Sequence, residues 1–451
     1  MIHSDLLSQY NDVWEEVSDD EITNPSLFPY SISAVCRQWD AILAPFEEFW
    51  TRIVVCIDKP DHLELLKLSL NRSKSSNLHS ISVIRSSQDK SVVDPLEKDK
   101  VHNVLRVLSG QVSRSQSLVI RTLTTDSLPA CVRTAWDLQT LRLESRQRAP
   151  HAAPPKPQPL SDHTVDCSNL CFLSLTGPIF VTLWRNEKWR RALESRGLES
   201  LTIAHLRAED GGEKPFTFQE LWNSFCALNR QYVNHLSWIN IDVPYINSAG
   251  NITMYQCCYD RLSTSSFTFD TVPARVLRAF YYLLLGFEPH GHYSSLGLQK
   301  FHNCSFYGCF LYPGFPFSNR VEVSGYSNSD SLSLFFEICD AHELLIRDCP
   351  GLNDASMMAL QGPFPFACHE ERTMLPSLWS LEIQDCPNLS INALKEFVEF
   401  RKGCSESDYP VKLMANEIGK LTLVGSCPPL LEEEKEWFKA NVDEFENENV
   451  A

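Results

Sequence analysis

The residues best suited to chemistry in this sequence are histidines and cysteines clustered between positions 290 and 309. They are His290, His292, His302, Cys304 and Cys309. Imidazole nitrogens and cysteine thiolates are the ligands that zinc prefers. The two cysteines, however, stand among three phenylalanines, and thiols in apolar surroundings usually fill a core. We therefore expect buried cysteines and surface histidines here, and no metal ion.

The sequence contains none of the common catalytic motifs. The GGEK segment at 211–214 lacks the spacing and the hydroxyl residue of a phosphate-binding loop. No G-x-S-x-G, H-E-x-x-H or H-R-D segment occurs. An enzyme would need a pocket of titratable residues, and no motif in the sequence indicates one. The sequence predicts no cofactor and no catalysis by this chain.

Composition narrows the class of partner. The chain has 451 residues, 40 Lys and Arg, 57 Asp and Glu, and a formal net charge of −17. An acidic chain binds polyanions poorly, so neither nucleic acid nor an anionic membrane is expected as a main partner. The start, MIHSDLLSQY, lacks a signal-peptide pattern, and the longest apolar run, at 276–287, is too short to span a bilayer. We expect a cytoplasmic or nuclear protein with reduced cysteines.

Since the sequence predicts no catalysis, the segments that could form a binding surface are the main indication of function. Residues 31–43 carry apolar side chains at helical spacing. These are Ile32, Val35, Cys36, Trp39, Ile42 and Leu43. Pro45 ends the predicted helix, an aromatic turn follows at 46–50, and IVVCI at 53–57 predicts a buried strand. The segment is either a core helix and strand of an α/β domain, or a unit that needs another protein to cover it.

The rest of the chain repeats itself. ELLIRDCPGLNDASMMAL (343–360), SLEIQDCPNLSINALKEF (380–397) and KLTLVGSCPPLLEEEKEW (420–437) share a strand, a cysteine and a helix. In such a repeat the strand points apolar residues inward, a buried cysteine closes the turn, and the helix returns the chain. Weaker strands of the same kind are predicted within 138–145, 170–177, 198–206, 233–241 and 296–304. Residues 245–295 fit no repeat cleanly.

These segments resemble a known family. VCRQWDAILAPFEEFWTRIVV (35–55) resembles the second half of an F-box of the kind abundant in fungal F-box-like proteins. HLELLKLSLNRSKSSNLHSISV (62–83) is similar to the helix, turn and strand that usually follow, and the repeats are similar to cysteine-containing leucine-rich repeats. The family's usual Leu-Pro-x-Glu-Ile-Leu start is replaced by LLSQYNDVWEEV (6–17), a divergent first helix.

The resemblance implies a fold class and a domain order. We expect an α/β protein with a small α-helical F-box-like unit at 1–57 and an irregular leucine-rich-repeat horseshoe at 58–430. An acidic cap and frayed tail are expected at 431–451. The Pro-rich segment at 149–160 is expected to be a solvated insertion, with a proline-rich docking site as the alternative.

The resemblance also implies a function. Family members are substrate-recognition subunits of Skp–cullin–F-box ubiquitin ligases, in which the F-box docks on the Skp adaptor and the repeats hold the target protein. The residues that match the family's F-box positions, either as adaptor contacts or as F-box core, are Trp14, Val35, Cys36, Trp39 and Trp50. The divergent start favours the alternative, a leucine-rich-repeat interaction scaffold whose F-box remnant does not bind the adaptor.

Strand alternation predicts which residues face a target. Side chains that alternate with the buried leucines lie on the open face of the sheet. The candidates there are Arg142, Leu345, Arg347, Glu382 and Gln384. Leu345 is singled out because an apolar residue at an exposed strand position calls for a partner. Arginine is enriched at protein interfaces. The target itself cannot be read from the sequence.

Overall fold

The structure is a computed structural model, and the part of the chain that it describes is discontinuous. The described residues are 29–33, 35–74, 77–85, 94–124, 128, 138–147, 169–194, 197–229, 233–244, 264–285, 296–307, 318–361, 373–406 and 415–448. The chain forms two compact units, one made of residues 1–198 with 210–213 and the other of 199–209 with 214–451. The predicted Pro-rich insertion at 149–160 and the predicted first helix at 6–17 lie outside the described residues.

The first unit has a parallel sheet whose strands follow one another in chain order. Its described helices are α1 (Tyr30–Ser33), α2 (Arg37–Leu43), α3 (His62–Ser73), α4 (Glu97–Leu108), α5 (Gly177–Arg185) and α6 (Glu187–Glu194). Its described strands are β1 (Arg52–Cys56), β2 (Leu78–Ile84), β3 (Ser115–Thr124), β4 (Thr140–Gln147) and β5 (Phe172–Thr176). Each strand pairs in parallel with the next. β1 thus pairs across the predicted domain boundary at 57/58.

The predicted helix over 31–43 is broken, so the expectation of one continuous helix is wrong. Cys36 has φ −162° and ψ 162°, an extended backbone that separates α1 from α2. The α1 segment closes a single turn, in which Val35 N donates to Ile32 O at 3.1 Å. Serine, isoleucine and valine are weak helix formers, and residues 31–35 consist largely of them. The apolar spacing therefore does correspond to helices, but the helix propensity of the first half is too low for one helix to continue into the second half.

The second unit repeats the strand–helix module. Its described helices are α7 (Phe218–Asn229), α8 (Ala274–Leu285), α9 (Ser329–Phe336), α10 (Asp354–Ala359), α11 (Ile391–Glu406) and α12 (Glu432–Asn441). Its described strands are β6 (Ser200–Ala204), β7 (His235–Ile239), β8 (Ser266–Asp270), β9 (Leu296–His302), β10 (Ser318–Ser324), β11 (Ala341–Arg347), β12 (Ser380–Gln384), β13 (Lys420–Val424) and β14 (Glu444–Glu448). Neighbours again pair in parallel. This is a solenoid-like α/β fold, as predicted at that level.

A left-handed residue follows each of the strands from β6 to β13. These residues are His205, Asn240, Thr271, Asn303, Gly325, Asp348, Asp385 and Gly425. Asparagine, aspartate and glycine are the residues that adopt this conformation most easily. Where the bonds are resolved, the amide of this residue donates to the last carbonyl of the next strand, as from Asp385 N to Val424 O at 3.1 Å. The same bend therefore recurs in every repeat and keeps the strands in register.

The cysteines of the C-terminal repeats occupy the predicted buried turn positions. Cys349 and Cys386 are fully buried, and Cys427 is 8% exposed. The Cys386 thiol donates to Gln384 O at 3.3 Å, and that of Cys427 reaches back to Ile383 O at 3.3 Å. These thiols are free, as expected. Cys226 is disulfide-bonded, contrary to the expectation of reduced cysteines.

Two further expectations about the second unit need correction. Part of the unassigned region 245–295 forms a regular repeat, β8 and α8, whose strand buries Phe267 and Phe269 where the C-terminal repeats bury leucine and isoleucine. Phe280 lies 4.9 Å from Trp238 and 5.3 Å from Phe269, measured between ring centroids. Residues 444–448, predicted as a frayed acidic end, form β14, because the edge of β13 can pair there and Phe445 stacks on Phe438 at 5.2 Å.

Candidate functional site

A surface of exposed apolar side chains covers α1, α2 and the turn that follows. Its members and exposed fractions are Ile32 (37%), Val35 (70%), Trp39 (47%), Ile42 (47%) and Phe46 (46%). We call these five residues the α1–α2 apolar surface. Large apolar side chains are rarely exposed in such a concentrated group unless they contact another molecule. The surface is the strongest candidate for protein binding among the described residues.

Neighbouring residues anchor α2 in the first unit. Leu43 and Trp50 are buried, at 7% and 1% exposed, and Trp50 Nε1 donates to Leu43 O at 3.2 Å. The Arg72 guanidinium from α3 lies 4.3 Å from the Trp50 ring centroid and forms an ion pair with Asp40 at 2.7 Å. α2 is thus held by packing and by a charged hydrogen bond, while Trp39 and Ile42 on the same helix stay exposed.

The structure separates the predicted F-box residues into two groups. Trp50 is core. Val35, Cys36 and Trp39 are exposed. Trp14 lies outside the described residues. Ile42 and Phe46, which sequence reasoning did not select as site residues, belong to the exposed group, and their helical and turn spacing was the signal available.

The open face of the second unit's sheet carries a charged network. Arg320 on β10 contacts Glu322 at 3.1 Å, Glu343 on β11 at 3.8 Å and Glu382 on β12 at 3.9 Å. Lys300 on β9 pairs with Glu322 at 2.9 Å. The network joins four neighbouring strands. A partner that docks on this face would meet alternating charges rather than an apolar patch.

Leu345 is not exposed, so the reason for selecting it as a target-binding candidate is wrong. It is 3% exposed, although it lies on the open face. In the strand register its neighbours are Glu322 and Glu382, and Arg320 reaches across β11 beside it. The stems of these long side chains cover the leucine while their charged ends stay in water. Strand alternation predicts which face of the sheet a residue lies on. It does not predict whether long polar side chains on the neighbouring parallel strands bury that residue.

The other candidates of the second unit remain on the open face. Arg347 is exposed, and its Nε donates to Gln384 Oε1 at 2.8 Å across the strand pair. Glu382 is half-buried within the charged network. They lie on adjacent strands and form one polar surface together with Arg320.

Arg142, the candidate of the first unit, belongs to a different cluster. It stands on β4 near Glu144, which accepts from Arg121 Nε at 2.8 Å and from the Ser174 hydroxyl at 2.7 Å. Burial acts to raise the pKa of the Glu144 carboxyl, but the two arginines and the serine outweigh it, and the pKa is lowered. The cluster is a satisfied ion pair that links three strands. This arrangement is typical of a structural ion pair, in which the carboxylate stays charged.

The histidines and cysteines of 290–309, weighed above as metal ligands, are only partly described. Cys304 is 4% exposed, and burial raises the pKa of its thiol to about 12. His302 Nδ1 lies 2.9 Å from the Ser324 hydroxyl. Residues 290–292 and 309 lie outside the described residues. In the part of the chain that the structure describes, no group of three His, Cys, Asp or Glu could hold a metal ion.

A cavity of about 380 Å³ in the first unit is lined by the cations Lys67, Lys74 and Arg114, together with Leu70, Asn71 and Gln111. Two of these cations are in ion pairs: Lys67 with Glu64 at 2.8 Å and Lys74 with Glu47 at 3.7 Å. The Arg114 side chain donates to Gln111 Oε1 at 2.7 Å. The lining includes neither an acid nor a histidine.

No family model matches the chain, and no curated protein matches it. None of the helices in the described residues is long and apolar enough to cross a membrane.

Proposed function

We propose that this chain is the substrate-recognition subunit of a Skp–cullin–F-box type ubiquitin ligase. In this proposal the α1–α2 apolar surface docks on the Skp adaptor, and the repeat sheet binds the target protein. The α1–α2 apolar surface carries the proposal. The chain itself catalyses nothing, since a receptor contributes effective concentration and orientation while other subunits supply the thioester.

The chemistry of the surface supports a protein partner. Val35 and Trp39 expose 70% and 47% of their area, while α2, which carries Trp39, is anchored through Asp40 and Leu43. Such an anchored helix is already ordered before binding, which lowers the entropy that docking costs. Tryptophan at the centre of an interface is a frequent hot spot.

The order of the elements supports the receptor role. The helical segment at 30–49 leads directly into β1, and strand–helix modules follow it to β14. Family members with leucine-rich repeats use the same order, with a horseshoe-shaped sheet as the target-binding part. The polar face that carries Arg347, Glu382 and Gln384 is the candidate target surface of the second unit.

The direct test is a pull-down of the full chain by purified Skp adaptor. We expect micromolar or tighter binding, about −8 kcal/mol. A Val35→Ser, Trp39→Ser double variant should bind at least about tenfold more weakly, because it removes the two most prominent apolar side chains of the proposed interface. A matched control is Met358→Ser with Tyr307→Ser, which removes apolar residues that are 61% and 84% exposed in the second unit. This control should bind like the wild type.

Absence of binding by a folded full chain would overturn the ligase proposal. The function then favoured is an interaction scaffold whose F-box remnant does not bind the adaptor. The break at Cys36, which divides the expected helix, is the observation that favours this second candidate.

A further inference from the structure

The cavity of the first unit is lined from two neighbouring elements. The helix α3 and the residue after it contribute Lys67, Leu70, Asn71 and Lys74, and the turn after α4 contributes Gln111 and Arg114. The volume of about 380 Å³ is within the range of small-molecule sites. The polar part of the lining consists of three cations and two amides. Such a lining favours an anionic ligand.

Arg114 is the fixed cation of this cavity. Its Nε donates to Gln111 Oε1 at 2.7 Å, and its Nη2 donates to Ser73 Oγ at 3.1 Å. These bonds hold the guanidinium between the two elements that line the cavity. Burial lowers the pKa of this guanidinium, and the negative charge of Glu47 opposes the shift only in part. The loss of water around the cation is therefore incompletely compensated, and a bound anion would stabilise its charge.

The two lysines are in ion pairs that a ligand can replace. Lys67 pairs with Glu64 at 2.8 Å and Lys74 with Glu47 at 3.7 Å, and the lysine side chains are 54% and 60% exposed. Exposed ion pairs contribute little, because water and salt screen them. A phosphate group carries nearly two negative charges at neutral pH, whereas a carboxylate carries one. Phosphate is therefore the stronger partner for these ammonium groups.

The spacing of the lysines indicates how many anionic groups the ligand has. From Lys67 to Lys74 the chain rises about 10 Å along the helix axis, and Leu70 lies between them on the same side of α3. A single phosphate group is smaller than this distance. We propose that the cavity binds a small molecule with two phosphate groups on one short carbon skeleton. One phosphate pairs with Lys67 and the other with Lys74 and Arg114, while the skeleton covers Leu70.

The net charge of −17 is compatible with this site. Charges on the protein surface are screened beyond about 8 Å at physiological ionic strength, so the cations that line the cavity dominate the field inside it. The site involves neither the adaptor nor a target protein. It is therefore independent of the proposed function.

The test is isothermal titration calorimetry of the full chain with fructose 1,6-bisphosphate, fructose 6-phosphate and inorganic phosphate as probes. We expect the bisphosphate to bind at least about tenfold more tightly than either of the others, because only its two phosphates can pair with both lysines. Its affinity should fall as the salt concentration rises. Absence of binding by all three probes, or equal affinity for them, would overturn the proposal.

A second arm separates a soluble ligand from a lipid. The headgroup of cardiolipin also carries two phosphates on a short carbon skeleton, so the full chain is sedimented with phosphatidylcholine vesicles that contain cardiolipin. Binding of the sugar bisphosphate alone supports a soluble ligand, and binding of these vesicles supports a lipid headgroup. Either result counts for the cavity only if the cavity variant below loses it.

Protein variants locate the site. The variant Lys67→Gln, Lys74→Gln removes two exposed charges and should bind the bisphosphate at least about tenfold more weakly. The variant Lys67→Arg, Lys74→Arg keeps the charges and should retain binding. Circular dichroism checks that both variants are folded.

The matched control is Lys59→Gln with Lys98→Gln, which removes two exposed lysines of the same unit that do not line the cavity. It should bind the bisphosphate like the wild type. Equal losses in this control and in Lys67→Gln, Lys74→Gln would reduce the effect to nonspecific charge attraction and overturn the proposal. Since no adaptor is present, failure here leaves the pull-down of the proposed function unaffected.

Discussion

The Arg72 guanidinium lies over the indole ring of Trp50, 4.3 Å from the ring centroid. The same guanidinium pairs with Asp40 at 2.7 Å, and its side chain is only 17% exposed. Arg72 thus joins α2, the aromatic turn and α3 through one stacked and one charged contact. The N-terminal helices are attached to the first unit at this point, and Trp50 is the largest side chain in the attachment.

We expect the two tryptophans of this segment to respond differently to truncation. Trp50→Ala should lower the free energy of unfolding by about 3–5 kcal/mol, because it removes a fully buried ring and leaves a cavity under Arg72. Trp39→Ala should change stability by less than about 0.5 kcal/mol, because the ring is half in water. Urea denaturation followed by circular dichroism measures both. A large loss from Trp39→Ala would mean that another part of the chain covers the α1–α2 apolar surface.

Arg401 provides a second stability prediction. It is fully buried on α11, and its guanidinium donates only to backbone carbonyls among the resolved hydrogen bonds. The acceptors are Met374, Leu375, Pro376, Leu378 and Asn416, at 2.8–3.4 Å. Arg401→Met should cost about 3 kcal/mol or more, since several buried carbonyls lose their donor. Arg401→Lys should cost less than Arg401→Met but more than a neutral substitution. The lysine ammonium has three donors, whereas the planar guanidinium presents five in a fixed forked geometry.

The control for Arg401 lies on the same helix. Glu399 is exposed, and Glu399→Gln should change the free energy of unfolding by less than about 0.5 kcal/mol. If Arg401→Met proved as neutral as this control, the guanidinium would not be holding the 374–378 loop.

The sequence predicted the repeats well where strand, cysteine and helix recur in one register. The copies at 343, 380 and 420 gave β11, β12 and β13, because the buried cysteine and the left-handed residue before it fix each turn. The repeat at 264–285 was not predicted because Phe267 and Phe269 take the place of leucine at the buried positions of its strand, although its helix buries leucines. The residue composition of this repeat differs from that of the other repeats, while the order of strand and helix is the same.

The site was less predictable than the fold. The F-box resemblance placed Val35, Trp39 and Trp50 in one group, and only packing against Arg72 and Leu43 distinguishes the buried Trp50 from the two exposed residues. The predicted exposure of Leu345 was wrong for a related reason, because the side chains that cover it belong to other strands, distant in sequence. Contacts of this kind follow from register between repeats, which no local pattern contains.

Two glycines offer a matched pair of substitutions in the second unit. Gly425 has φ +69°, and a Cβ there would lie 2.2 Å from Asp385 Oδ1, which accepts from Ser426 N at 2.8 Å. Gly425→Ala should therefore cost about 1–2 kcal/mol in free energy of unfolding. Gly403, within α11, has no heavy atom within 4 Å of the added Cβ, and Gly403→Ala should gain about 0.5–1 kcal/mol. Opposite signs in urea denaturation are expected, and a neutral Gly425→Ala would contradict the role of the left-handed bend.

The buried cysteines make stability sensitive to alkaline pH. Burial raises the thiol pKa to about 12 in Cys304 and Cys386 and to about 11 in Cys349, from an ordinary value of 9.0. A raised pKa in the folded state means that the unfolded chain loses these protons first. The stability contribution is therefore complete below about pH 9 and is lost as the pH rises towards 11–12.

Urea denaturation at about pH 8 and about pH 10.5 should show a steep loss for the wild type. A Cys349→Ala, Cys386→Ala variant should be less stable at about pH 8, because of the cavities, but should lose less between the two values. Parallel losses in the two proteins would show that other groups, not these thiols, set the alkaline limit.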